Sequence, residues 1–101
     1  MNWNAIKIKA NVQLKFLKDH QLPIQIGFLS CPSKIEGFPS ENLWDVRIMV
    51  TSDFVNKDEV IETKIAFLSP DVAEKYLRKG AKIILKGSDD FAVGEITELL
   101  Y

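Results

Sequence analysis

The chain has 101 residues, 47% of them hydrophobic and 27% charged, with a net charge of −1. That length supports one domain with its own core and is too short for two. No apolar run approaches the roughly 20 residues that span a bilayer. The single cysteine, Cys31, excludes an internal disulfide and argues against a thiolate zinc site.

The opening Met1–Asn4 is not followed by the basic and then apolar segments of a signal peptide, so a cytoplasmic protein is expected. A sequence pI near 5.8 gives no general nucleic-acid footprint. Charge nevertheless runs in blocks. Residues 1–18 carry four lysines and no acid, residues 19–62 are acidic, residues 63–88 are basic, and the tail carries acids alone. Alternating blocks are expected to pair opposite charges across neighbouring strands.

Ile6, Ile8, Ala10, Val12, Leu14 and Phe16 occupy even positions, with Lys7, Lys9, Asn11, Gln13 and Lys15 between them. This period of two predicts a strand over 6–16 that buries one face. At about 3.3 Å per residue it is long enough to bend around a barrel. A polar turn follows at Lys18–Gln21. Leu22, Ile24, Ile26 and Phe28 then predict a second strand, with Pro23 confined to an edge or to its start.

Ser30–Asn42 mixes breakers with two isolated apolar residues, Ile35 and Phe38, and predicts a long loop. Such loops in compact domains often carry function. Ile35 and Phe38 either fold back to plug one end of the barrel or stand out as anchors for a partner. Trp44–Val50 predicts a third strand and Thr51–Glu59 a polar connection. Ile61–Leu68 predicts a fourth strand. Ser69 and Pro70 begin a short helix that Gly80 closes, with Ser69 as its cap. Ala81–Lys86 and Phe91–Leu100 predict the last two strands, joined by a turn at Gly87–Asp90. The alternation slips near Gly94 and Glu95, which predicts a bulge there. The fold class is therefore all-β with one short helix, a six-stranded antiparallel barrel of Greek-key type.

The sequence offers little chemistry. His20, the only histidine, sits in a predicted exposed turn, away from the buried, oriented setting a catalytic base needs. Cys31 has no basic cluster to lower its thiol pKa. The acidic pairs Asp58 with Glu59 and Asp89 with Asp90 fall in predicted turns without calcium-loop spacing. No glycine-rich phosphate loop is present. A non-catalytic protein without a cofactor is expected.

The run Ile65–Pro70, Lys79–Gly80, Ile83–Lys86, Gly87 and then Ala92–Ile96 resembles the third, C-terminal β-barrel domain of bacterial elongation factor Tu. Ile8–Leu14 is similar to the opening strand of that domain, and Pro23–Phe28 to its Pro-x-x-x-Gly-Tyr segment. The chain departs from the family after Phe28, where Leu29, Ser30, Cys31 and Pro32 replace Arg-Pro-Gln. The resemblance implies a stand-alone, translation-factor-like barrel.

Three functions follow as expectations. A binding module would engage a protein partner through Lys34, Ile35, Glu36 and Phe38 of the loop, with Arg47 beside them. An antidote protein would neutralise a toxin, and against a nuclease Asp53, Asp58, Glu59, Asp89 and Asp90 would cover a basic cleft. RNA or ribosome binding would use Lys7, Lys9, Lys15 and Lys18, and would weaken steeply with salt.

Overall fold

The computed structural model describes residues 8–101. Ile6 and Lys7, at the start of the predicted first strand, lie outside them. The first strand, β1, spans Lys9–Phe16 and buries Ala10, Val12, Leu14 and Phe16 as the alternation requires. It is followed by β2 (His20–Gln21), β3 (Phe28–Ile35), β4 (Trp44–Met49), β5 (Phe54–Val55), β6 (Val60–Phe67), α1 (Pro70–Tyr76), β7 (Lys82–Lys86) and β8 (Asp90–Leu99).

Six of these strands close an antiparallel barrel in the order β1-β6-β4-β3-β7-β8, with β8 returning to β1. Strands β3, β4 and β6 run consecutively around the wall, and β1 comes to lie beside β6 through the long connection after Phe16. That is a Greek key. The two remaining strands, β2 and β5, pair only with each other. Closure leaves no complete sheet edge to be protected from other chains.

The antiparallel order gives the barrel two distinct ends. At one end lie the β2 and β5 segments, the β5–β6 turn and the β7–β8 turn. At the other end lie the loop after β3, helix α1 and the C-terminus. Between them Leu14, Ile48, Ile65, Ile83, Leu85 and Ile96 fill a core in which each is at most 2% exposed. Full burial of each such side chain stabilises by about 1.5–3 kcal/mol.

The predicted second strand is displaced. Pro23–Gly27 is a turn in which the Ile26 and Gly27 N–H groups donate to the Pro23 carbonyl, at 3.0 and 3.2 Å. Gly27 turns the chain with φ 90°, which a side chain would resist. The strand starts only at Phe28, the last residue of the predicted second strand, and runs through Ser30–Ile35 of the predicted loop; its inward residues are the odd ones, Cys31, Ser33 and Ile35. Two of these are small or polar, so the periodicity was hidden. Pro32 does not break the strand because its main-chain nitrogen lies on the side away from β4, so its missing N–H costs no bond in that ladder.

Ser33 is the only fully buried polar side chain among the described residues. Its Oγ donates to the Trp44 carbonyl at 2.8 Å, so the hydroxyl is satisfied inside the wall. Ser33→Ala is expected to lower stability by about 1 kcal/mol, read from a urea midpoint shift at unchanged slope.

Two further expectations are corrected. Helix α1 ends at Tyr76, short of Gly80, and Ser69 makes no side-chain cap bond. Gly80 instead turns the chain into β7 at φ 87°, and its N–H donates to the Ile96 carbonyl. The last strand carries register shifts on either side of Gly94, one beside Phe91 against β7 and one beside Thr97 against β1. Gly94 itself sits in register opposite Leu14, where the reason for glycine is close approach to β1.

Opposite charges do meet across the surface. Lys15 pairs with Asp58 at 3.9 Å, Lys18 with Asp89 at 3.4 Å, Lys82 with Glu95 at 3.4 Å, and Lys86 with Asp90. All are solvent-accessible, so each contributes at most about 1 kcal/mol.

Candidate partner-binding groove

Where β3 leaves the barrel wall, its ladder with β7 pairs Lys34 with Ile84 and Ile35 with Ile83. Glu36 extends the ladder by one step: its N–H donates to the Lys82 carbonyl at 2.9 Å, and its carboxylate accepts the Lys82 N–H at 3.4 Å. Lys34 and Ile84 are thereby held side by side on the outer face. Gly37, at φ 91°, then reverses the chain and sends Phe38 inward.

Phe38 is buried among aromatic rings. Its centroid lies 5.8 Å from Trp44, 6.0 Å from Phe67 and 5.9 Å from Tyr76 of α1. These spacings suit favourable ring pairs. Ile35 is also buried. Both side chains plug the end of the barrel, and neither is an exposed anchor. Burying their apolar area against the core outweighs leaving it in water.

The plug holds the loop from beneath, and the Trp44 indole holds it from the side by donating from Nε1 to the Pro39 carbonyl at 3.2 Å. Between loop and wall runs an open groove of about 270 Å³ lined by Lys34, Glu36, Pro39, Trp44, Lys82 and Ile84. Trp44, Pro39 and Ile84 are half-buried and supply an apolar floor. Lys82 is partly neutralised by Glu95, whereas Lys34 is exposed and forms no ion pair among the described residues.

Lys34, expected in the loop, lies instead within β3 beside β7, and Glu36 begins the shortened loop; both line the groove. Trp44, Lys82 and Ile84 were read only as strand residues. A signal for Ile84 existed: Ile83, Ile84 and Leu85 are three consecutive apolar residues in a strand whose outer face should be polar.

The other candidates are elsewhere. Arg47 lies on the outer face of β4 with its guanidinium 4.6 Å from the Phe28 ring centroid and does not line the groove. Asp53, Asp58, Glu59, Asp89 and Asp90 gather at the opposite end of the barrel. Most already have local partners. Asp58, Asp89 and Asp90 pair with lysines, and Glu59 accepts two hydrogen bonds from Asn56.

The lysines do not form one stripe. Lys7 lies outside the described residues, Lys9 begins β1, and Lys15 and Lys18 sit at the far end beside Asp58 and Asp89. On the same face, Gln13 is flanked by Glu62 and Glu95 from the neighbouring strands.

His20 is not a free turn residue. Its ring stacks on Phe91 at 4.8 Å and 7°, and lies 5.9 Å from Phe16. Partial burial, then the nearby Lys18 charge, hold its pKa below the ordinary 6.5. The folded state therefore favours the neutral ring. That contribution is complete above pH 6.5 and is lost as pH falls from 6.5 through the lowered folded value. The melting temperature should decline over that window, and the decline should be smaller in His20→Phe. Cys31 is buried, and that burial, followed by the Asp45 charge, pushes its thiol up to about 12, so it carries no thiolate at neutral pH.

Among the described residues no cluster of three or more His, Cys, Asp or Glu side chains is arranged to hold a metal, and no helix is long and apolar enough to cross a membrane. Fold and groove together define a small closed β-barrel with an apolar, loop-bounded groove at one end. No protein-family model matches the chain, and no curated protein matches it.

Proposed function

We propose that the protein is a cytoplasmic, non-catalytic binding module that takes a protein partner into the groove between the 36–43 loop and β7. The observation that carries this reading is the half-exposed Trp44 and Ile84 beside Lys34, an exposed cation with no ion-pair partner among the described residues. Apolar anchors next to a charged rim are the usual anatomy of a binding patch, and tryptophan is a favoured anchor. A barrel with a plugged end supplies the rigidity such a loop needs. A relationship to the elongation factor Tu barrel, which rests on the sequence resemblance alone, would fit a scaffold of this kind.

Capture from native cytosol at two salt concentrations tests the reading, using the wild-type chain beside Lys34→Glu/Ile84→Asp. One protein retained at high salt, and lost from the double variant, is the expected result. RNA or ribosomal proteins released at high salt would instead favour the lysines of β1.

A second reading is favoured by the gathering of Asp53, Asp58, Glu59, Asp89 and Asp90 at one end. It makes the partner a basic toxin that the protein neutralises. Under it, Asp89→Asn/Asp90→Asn would lose the partner and the groove variant would keep it.

A further inference from the structure

We infer that the barrel has a second, independent docking site: an open edge of β3, centred on Ser30, that accepts an extended, uncharged peptide segment of a partner by β-strand addition. The inference does not rest on the groove, which lies at the other end of the wall.

The open edge follows from ladder parity. Toward β7, the Glu36 N–H bonds the Lys82 carbonyl, so alternate residues of β3 present their main-chain groups on that side. These are Glu36, Lys34, Pro32, Ser30 and Phe28. Toward β4 the opposite set is used, as the Val50 N–H donates to the Gly27 carbonyl one step beyond the ladder. Pairing with β7 covers only Ser33–Ile35. The next bond in line would come from Pro32, which has no N–H, and the ladder stops there.

Beyond Pro32 the strands part around a cleft of about 360 Å³. Leu29, Ser30 and Pro32 line one side, and Lys86, Asp89 and Phe91 the other. By that parity the Ser30 N–H and C=O face the cleft, beyond the end of the ladder with β7, and those of Phe28 face the same side one strand period away. The comparable gap between β4 and β6 is closed differently. There the Met49 carbonyl, at the end of the short ladder, accepts from Thr63 Oγ1 at 2.8 Å. At Ser30 no side chain among the described residues does this.

The chemistry selects the occupant. Main-chain donors and acceptors at alternate residues match another extended backbone. Leu29 and Pro32 on the β3 side give the cleft an apolar wall, while the Phe91 ring is covered by His20. Lys18 and Lys86 at the rim are already matched by Asp89 and Asp90, so the segment needs no charge.

Heptapeptides selected from a random phage-displayed library on the immobilised full chain provide the probe. Peptide binding is expected to slow amide exchange at Ser30. Ser30→Pro should weaken binding by about tenfold, the loss of one good hydrogen bond, whereas Ser30→Ala should leave it within about twofold. Pro32 already occupies the equivalent outward position two residues on, so the strand accommodates proline there. Should Ser30→Pro fail to fold, N-methylation along the peptide decides, because strand addition requires loss of binding at alternate residues only. An empty selection, protection confined to the 36–43 loop, or N-methyl effects without alternation would overturn the inference.

Discussion

Gly94→Ala is expected to be the most damaging single methyl group that can be added to this barrel. A Cβ at Gly94 would lie 2.1 Å from the Gln13 carbonyl oxygen and 2.8 Å from Leu14 Cδ2. The leucine tip can move, but the Gln13 oxygen belongs to the backbone of β1, and β1 is the strand that joins β6 to β8. Relief requires β8 to separate from β1, which opens the closure. Overpacking of ordinary cores costs about 1–3 kcal/mol, and a backbone clash at a closure seam should reach the top of that range or pass it. Against a total stability of about 5–15 kcal/mol, the melting temperature should fall by about 12 °C or more. Gly27→Ala is the control. It meets nothing within 4 Å and bears only the cost of its positive φ, so its effect should be much smaller.

Phe38→Ala is the second large effect, and it joins stability to function. Phe38 is 7% exposed and packs on Trp44, Phe67 and Tyr76, so its removal leaves a cavity beneath both the loop and α1. Truncating a buried phenylalanine costs about 3–5 kcal/mol. The Trp44 indole would lose its support on one face and its emission should shift to the red. In a Trp3→Phe background Trp44 is the only tryptophan, so the shift reports on the groove alone. A variant that keeps wild-type stability and emission would show that Phe38 does not hold the loop.

Most of the barrel was legible because β1, β4, β6 and β7 place apolar residues at alternate positions, interrupted only by Thr63 in β6, and a half-buried wall needs that period. The exception is instructive. In β3 two of the three inward residues, Cys31 and Ser33, are too small or too polar to announce a strand, while Leu22, Ile24 and Ile26 imitate one. Ile24 and Ile26 are exposed in the turn that the Pro23 carbonyl and Gly27 enforce. Local hydrogen bonding overrode periodicity there.

Less of the candidate site was legible. Lys34 and Glu36 stand out in the sequence as loop charges, but the groove exists only because β7 comes beside β3, a pairing between residues about fifty apart in the chain. The acidic residues illustrate the converse. Read as five exposed charges, most of them turn out to be matched by Lys15, Lys18, Lys86 and Asn56 from neighbouring segments. Charge in a sequence reports supply, and the fold decides what remains unmatched.

Photo-crosslinking tests the central claim most directly. A photoreactive residue is placed at Ser40, on the groove, or at Ser88, on the acidic end, both exposed and at opposite ends of the barrel. Illumination in native cytosol should join Ser40 variants to one protein, with that product absent when Lys34→Glu/Ile84→Asp is added. The same protein joined through Ser88 and not through Ser40 would contradict the groove as the binding site.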